Sequence, residues 1–253
     1  MSSRTLSSVR NAARLLKAIS AHGPEMGITE LSQRLDLGKS TVHRLVTTLA
    51  EEQLLVKDPA TARYRLGLAM YDLGNTAVNG LNLHSALSPA MNWLQDVTGG
   101  TVHAGVLDHR EVIYVERLES PNMLRLFIEV GRRQPAHSNS SGKCLLAFLD
   151  RAELDKVLDG WVLVPKTVHT ITDLSELRRQ LTEIRRNGYA LNEGESELGI
   201  LSIAAPVRDR KGSVVAAISL AGEESQLREK LGTLIPAVRQ AGAVASHQLG
   251  YQK

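Results

Sequence analysis

The stretch GKSTVHRLVTTL, Gly38 to Leu49, decides how the first part of the chain is read. At 100° per residue Val42, Leu45, Val46 and Leu49 fall on one stripe at i, i+3, i+4 and i+7, which predicts an amphipathic helix with those side chains in a core. The opposite face is centred on Ser40, Arg44 and Thr47, flanked by Lys39, Thr41, His43 and Thr48, and carries no acid. Solvated helix faces ordinarily interleave both signs of charge and favour strong helix formers over Ser and Thr. A face of bases and hydroxyls suits a phosphate-bearing partner instead.

Working outward, ITELSQRLDL supplies Ile28, Leu31 and Leu35 for a short helix capped at Thr29 and ended by the turn Asp36 to Gly38. Upstream, SVRNAARLLKAISAH places Val9, Ala12, Ala13, Leu16 and Ile19 on a helical stripe that GPEMG terminates. Downstream, LLVKDPATARYRLG reads as two strands, Leu54 to Lys57 and Arg63 to Leu66, about a turn with Asp58 and Pro59. Three helices followed by a hairpin is the order of a winged helix-turn-helix, whose second motif helix enters the major groove. In that frame Arg44 can grip a guanine, Ser40 and Thr47 can meet bases or phosphates, and Lys39, Arg63 and Arg65 neutralise backbone charge, with Thr41 and His43 on the same face. Tyr64 is the one aromatic of residues 1–66, so the stacking platforms of single-strand or RNA binders are missing and duplex DNA is expected.

Charge divides along the chain in the same sense. Residues 1–66 hold 10 Lys and Arg against 6 Asp and Glu, whereas residues 67–253 hold 20 against 21. A basic module is thus joined to a near-neutral one, as expected of a protein that docks on phosphate with one part and does something else with the other. The opening MSSRTLSSVRNAARLL lacks an apolar signal-peptide core, and no uninterrupted apolar run approaches the roughly 18 residues that span a bilayer, so a cytoplasmic protein is expected, without a membrane partner. Cys144 is the single cysteine, which excludes an intramolecular disulfide and any multi-cysteine zinc site; between Lys143 and LLAFL it reads as a small core residue.

From Gly67 the chain reads as a connecting helix to Gly80, a helix in LHSALSPAMNWLQDVTGG, two strands about the turn DHRE, a third strand in MLRLFIEVG, and the loop RRQPAHSNSSG leading into the helix KCLLAFL. A helix capped by Asp173 and Gly188 follows, then the hairpin ILSIAAPVRD and SVVAAISLAG, with Pro206 marking an edge or bulge, and a final helix striped by Leu227, Leu231, Leu234, Ile235, Val238 and Ala245. This order implies a mainly antiparallel sheet packed by helices, an α+β domain. The domains expected are residues 1–66 for the winged helix-turn-helix, 67–80 for the linker helix, and 81–253 for the remainder.

Catalytic motifs are wanting. SSGK, Ser140 to Lys143, matches the Ser-x-x-Lys spacing of penicillin-interacting enzymes without their Ser-Asp-Asn and Lys-Thr-Gly companions. There is no phosphate-binding Gly-x4-Gly-Lys-Ser/Thr loop, no Gly-x-Ser-x-Gly elbow and no pair of histidines at i, i+4. His103, His109, His137 and His169 are scattered and read as surface or hydrogen-bonded residues, and Glu193, Glu195 and Glu197 as a solvated loop. No catalytic residue, metal or cofactor is expected. A ligand pocket fits better: HSNSSG offers hydroxyls and helix-terminal N–H groups to an anion, and Ser202 and Ser219 alternate with apolar residues on the two late strands.

With these segments in order, the chain resembles the IclR family of bacterial transcription regulators over nearly its whole length. The matching segments are ITELSQRLDLGKSTVHRLVTTL, RYRLG, HSNSSGKCLLAFL, RRNGYALNEGESELGILSIAAPV and GSVVAAISLAG. The resemblance implies a winged helix-turn-helix, a helical linker and an effector domain similar to GAF and PAS folds, acting as a homodimer or dimer of dimers on a palindromic operator with a small organic acid as effector. Carried over residue by residue, the effector pocket falls on Ser140, Ser141, Asn192, Ile200, Ser202, Ser219 and Ala221, with Gln134 and His137 just upstream. Where relatives often have an acid, a cysteine and a second serine, this chain has Asn192, Ser202 and Ala221. Two other functions compete: an enzyme acting on a small acid with an N-terminal protein-interaction module, and an architectural DNA binder that senses nothing.

Overall fold

The computed structural model describes residues 6–79, 83–120 and 129–252, which divide into two compact units, 1–80 and 81–253. In the first, α1 (Ser7–His22), α2 (Ile28–Leu35) and α3 (Lys39–Glu51) precede the strands β1 (Leu55–Lys57) and β2 (Tyr64–Leu66) and the helix α4 (Ala69–Asn79). Val42, Val46 and Leu49 of α3 are buried with Leu45 at their margin, in one core with Leu31, Leu35, Leu55 and Tyr64. The expected stripe on α1 is shifted. Leu15 and Ile19 are buried while Val9 is 63% exposed, because a stripe through Leu15 buries a leucine where the alternative buries Ala13. The α2 cap also differs: helix starts at Ile28 after Gly27, and Thr29 lies inside the first turn. A bridge between Met26 and Tyr64 fixes where the chain enters that helix. At its other end Asp36 takes the left-handed conformation that turns the chain toward α3. In the wing, Asp58 Oδ1 accepts from the N–H groups of Ala60 and Thr61 at 2.7 and 3.0 Å, closing the hairpin and holding its carboxyl below the usual range.

The second unit contains α5 (Leu83–Thr98), β3 (Thr101–Asp108), β4 (Glu111–Leu118), β5 (Arg133–Pro135), α6 (Ser140–Ala147), α7 (Arg151–Leu158), α8 (Leu174–Asn187), β6 (Ala190–Glu193), β7 (Ile200–Arg208), β8 (Val214–Glu223), α9 (Glu224–Leu227) and α10 (Leu231–Gln248). The strands form one antiparallel sheet in the order β5-β4-β3-β8-β7-β6. Helices α5 and α10 pack on one face; α6, backed by α8, lies on the other. Alternation along β7 separates the two: Ala204 joins the core under α6, and Ala205 meets α10 at Gly242.

Several elements were not expected from sequence. The segment expected to be a loop holds β5 and a 3-10 turn, and α6 begins at Ser140 with Asn139 as its cap, Oδ1 accepting from Gly142 N–H at 2.7 Å. Helix α7 and strand β6 are additional. The strand expected at Met123 to Gly131 lies outside the described residues in its first six positions, and Val130 and Gly131 form a turn. Asp173 and Gly188 cap α8 as expected, with Asp173 accepting from Glu176 N–H at 2.9 Å. Pro206 pairs with Ala217 beyond the last β6 partner, Ala204, next to a register shift at Val207 and Arg208. Among the described residues no helix is long and apolar enough to cross a membrane.

Within the second unit Gly142 is the tightest glycine: a Cβ there would lie 2.2 Å from the Ala136 carbonyl oxygen, whereas one on Gly232 meets nothing within 4 Å. Gly142→Ala is therefore expected to destabilise the protein by about 1–3 kcal/mol. Gly232→Ala should be neutral or stabilising by up to about 1 kcal/mol. Denaturant melts of the two variants check this; equal stabilities would contradict it.

Candidate nucleic-acid face and ligand cavity

In the first unit every polar residue expected on the outer face of α3 is exposed: Lys39, Ser40, Thr41, His43, Arg44, Thr47 and Thr48. The buried stripe fixes this orientation, since Val42, Val46 and Leu49 cannot turn outward without emptying the core. The sole acid of α3, Glu51, is at its C-terminal end. Arg65 is exposed on the wing. Arg63 departs from the expected role, because its guanidinium bonds Glu30 Oε2 at 3.0 Å and the Glu25 carbonyl at 2.8 Å, clipping the wing to α2. Tyr64 is buried in the core.

In the second unit, strand register builds a row of side chains on the face beneath α6. Asn192 of β6 pairs with Ser202 of β7, which pairs with Ala221 of β8; one row along, Ala204 pairs with Ser219, which pairs with His103 of β3. The first turn of α6 docks on this row. Ser140 Oγ lies 2.7 Å from Ser202 Oγ, and Ser141 Oγ donates to Ser219 Oγ at 3.0 Å. Asn192 Nδ2 donates to Ser202 Oγ at 3.2 Å and to Ser196 Oγ at 2.9 Å, and its Oδ1 accepts from Glu195 N–H at 2.8 Å. Beside these hydroxyls is a cavity of about 120 Å³ lined by His103, Tyr114, Arg132, Gln134, Asn139, Ser140, Asn192, Ser196, Glu197, Ile200, Ser202, Ser219 and Ala221. That is well under the roughly 300–1,000 Å³ of drug-sized pockets, so it suits a compact ligand.

Seven residues expected around a ligand thus meet on one lining: Gln134, Ser140, Asn192, Ile200, Ser202, Ser219 and Ala221. Two do not reach it. Ser141 stands behind Ser219. His137 is turned away, its Nε2 paired with the Val164 carbonyl at 3.1 Å and its ring edge-on to Trp161. The residues missed by sequence reasoning are His103, Tyr114, Arg132, Asn139, Ser196 and Glu197. His103 was expected at the surface or hydrogen-bonded. Instead it is buried with no hydrogen-bond partner for Nε2 among the described residues.

Two further corrections concern charge. Glu195, expected in a solvated loop, is buried against the equally buried Lys143 ammonium, which also donates to Gln180 Oε1 at 3.0 Å. Burial pushes Lys143 down and Glu195 up, each opposed by the charge of the other, so the pair contributes little net stability although losing one partner would strand the other. This also settles the SSGK spacing: Ser140 and Lys143 have separate partners, a serine and a glutamate. Cys144 is a fully buried thiol whose pKa burial raises, a core residue. Among the described residues no group of three His, Cys, Asp or Glu could hold a metal ion.

Burial holds the His103 ring down at about 4, with the charge of Arg117 adding to the effect, and pushes the Tyr114 phenol up to about 12. Both are therefore neutral at pH 7. Between the ordinary value of 6.5 and the folded value near 4 the unfolded chain binds a proton that folded His103 does not, so its contribution to stability falls as the solution is acidified. From pH 7 to pH 5 the wild type should lose roughly 2 kcal/mol more than His103→Gln. Melts of both proteins across that range measure the difference, and parallel losses would contradict it.

Both halves of the chain match a known family: residues 8–59 match the IclR helix-turn-helix domain, and residues 75–247 the C-terminal domain of the bacterial transcriptional regulator IclR. The HTH-type transcriptional regulator XynR of Escherichia coli is 33% identical over 250 residues, covering 97% of this chain and 98% of its own. The regulator KdgR of Dickeya chrysanthemi is 35% identical over 252 residues, covering 98% and 81%. Among solved structures, an IclR homolog from Microbacterium hydrocarbonoxydans complexed with 4-hydroxybenzoate superposes with a TM-score of 0.86 at 27% identity over 96% of this chain and 98% of that one. With the helix-turn-helix, the antiparallel effector domain and these relatives in agreement, the chain belongs to the IclR family of bacterial transcriptional regulators.

Proposed function

We propose that this regulator binds a palindromic duplex operator as a homodimer or dimer of dimers, and that a small organic acid in the cavity beneath α6 changes its affinity for that operator. The observation that carries the DNA half is the acid-free outer face of α3, held outward by the buried stripe. Placed in the major groove, Arg44 reads a guanine by two hydrogen bonds, Ser40, Thr41, His43 and Thr47 meet neighbouring bases or phosphates, and Lys39 and Arg65 neutralise backbone charge. Arg63 contributes by fixing the wing through Glu30. Self-association is supported by apolar side chains left exposed in the same unit: Leu6 and Val9 of the first helix region, Leu68 just ahead of α4, and Tyr71 and Leu73 within it.

The ligand half rests on the convergence of donors at the first turn of α6. The N–H group of Ser140 has no intrahelical acceptor by helix geometry, and Arg132 and Glu197 contribute one charge of each sign to the lining, so the helix start is where a carboxylate fits. That a solved family member carries 4-hydroxybenzoate supports the same ligand class. Regulation is favoured over turnover because the cavity's serine hydroxyls pair with serine and asparagine, and none has a histidine partner among the described residues. Effector binding acts on DNA only through a difference in affinity between the DNA-bound and free arrangements of the dimer.

Operator sequences selected from a random duplex pool provide the substrate for two tests. Arg44→Ala should weaken binding by about 1–3 kcal/mol and relax preference at one base pair, whereas Arg65→Ala should weaken all sequences alike and reduce the salt slope by about one. Unchanged preference in Arg44→Ala would remove that residue from base readout. In a thermal-shift screen of organic acids, at least one acid should raise the melting temperature and shift operator affinity. An acid that is consumed by the purified protein, with no duplex binding, would favour the enzyme reading instead.

A further inference from the structure

The buried stripe of α3 decides which side of the helix faces out, but apolar packing is non-directional and leaves height and tilt loosely set. Directional contacts are found instead at the turn of Asp36, Leu37 and Gly38 that joins α2 to α3. Ser32 of α2 grips Leu37 from both sides. Its carbonyl accepts from the N–H groups of Asp36 and Leu37, the latter at 3.1 Å, and its hydroxyl donates to the Leu37 carbonyl at 2.6 Å. A serine within a helix ordinarily competes with the helix for backbone groups; here that capacity is directed at the turn. Arg14 of α1 holds the other flank, its Nη2 donating to the Leu35 carbonyl at 3.0 Å. That carbonyl is one of those a helix end leaves without an intrahelical donor, and a guanidinium there also complements the negative end of the helix. With Arg63 bound to the Glu25 carbonyl and to Glu30 near the start of α2, both ends of that helix are held by an arginine from a neighbouring element.

We infer that Ser32 and Arg14 are positioning residues for base readout: without contacting the duplex, they set the height and tilt at which α3 presents Arg44 to a base edge. This rests on the major-groove reading of Arg44 above and deepens it. Lys39 starts α3 two residues after Leu37, so a shift of the Leu37 carbonyl is passed directly to the turn of helix that carries Ser40 and Arg44. A bidentate contact tolerates only about 0.5 Å of misplacement, whereas contacts to phosphate by long flexible side chains adapt to more. Loosening the turn therefore costs discrimination between sequences before it costs binding as such. On this assignment Arg14, although it belongs to the basic first unit, makes no phosphate contact.

Anisotropy titrations of the full-length protein with its selected operator and with a scrambled duplex, each at several salt concentrations, test this. Ser32→Ala should weaken operator binding about three- to tenfold, the effect of one hydrogen bond, and leave the scrambled duplex within about twofold, so that the ratio between them falls. Ser32→Thr, which keeps the hydroxyl, should restore the ratio. Arg14→Gln should lower the ratio in the same way with an unchanged salt slope. A role in stability alone would weaken both duplexes together through the folded fraction, and a phosphate contact by Arg14 would weaken both alike and reduce the salt slope by about one. Either pattern, or an unchanged ratio in Ser32→Ala, overturns the inference. Arg44→Ala measured alongside separates the two levels. If it relaxes base preference while Ser32→Ala does not, only the positioning role falls; if Arg44→Ala leaves preference unchanged, the readout falls and takes this inference with it.

Discussion

The second unit depends on how the first turn of α6 is pinned to the sheet. Asn139 caps the helix, Gly142 lets its backbone close on Ala136, and the hydroxyls of Ser140 and Ser141 pair with Ser202 and Ser219 on two adjacent strands. Individually such hydrogen bonds contribute only about 1 kcal/mol net, but together they satisfy buried groups that would each be costly alone. The same contacts create the cavity. A helix start that must present unpaired N–H groups, held over a row of small polar side chains, leaves a space that apolar packing would have filled.

A chain of contacts leads from that cavity into the protein. Asn192 touches Ser202 in the wall with one end of its amide and Glu195 N–H with the other, and Glu195 is the buried partner of Lys143, one turn further along α6. The segment carrying Glu195 is also tied through its carbonyls, Gly194 to Thr167 and Glu195 to Thr170, both at 2.6 Å. Ser202 and Asn192 are thus joined to a buried ion pair rather than to a free loop. Buried pairs of this kind confer little net stability, yet removing one partner leaves the other charge buried and unpaired.

What was legible in the sequence follows from the range of the interactions involved. The stripe and the outer face of α3, the caps Asp173 and Gly188, and the hairpin of β7 and β8 are set by residues within a turn or two of one another, and period and turn chemistry reveal them. Short β5 and β6 exist because β4 and β7 pair with them, and nothing local distinguishes their sequences from loop. Ser202 and Ser219 are legible as residues of one face, two positions apart in register, because alternation along a strand fixes their side of the sheet. Partners distant in sequence are what local reading missed: Glu195 with Lys143 across 52 residues, and Arg63 with Glu30 across 33. His103 is the extreme case. Its significance is the lack of a partner inside a core, a property of the assembled fold that no spacing encodes.

The central claim is that the first turn of α6 receives the carboxylate of the effector. Amide hydrogen exchange measured residue by residue, with and without whichever acid most raises the melting temperature, addresses it most directly. Slowed exchange at the Ser140 amide, beyond any general protection of the sheet, is the expected result. Unchanged exchange at that amide, with protection concentrated elsewhere, would contradict the account.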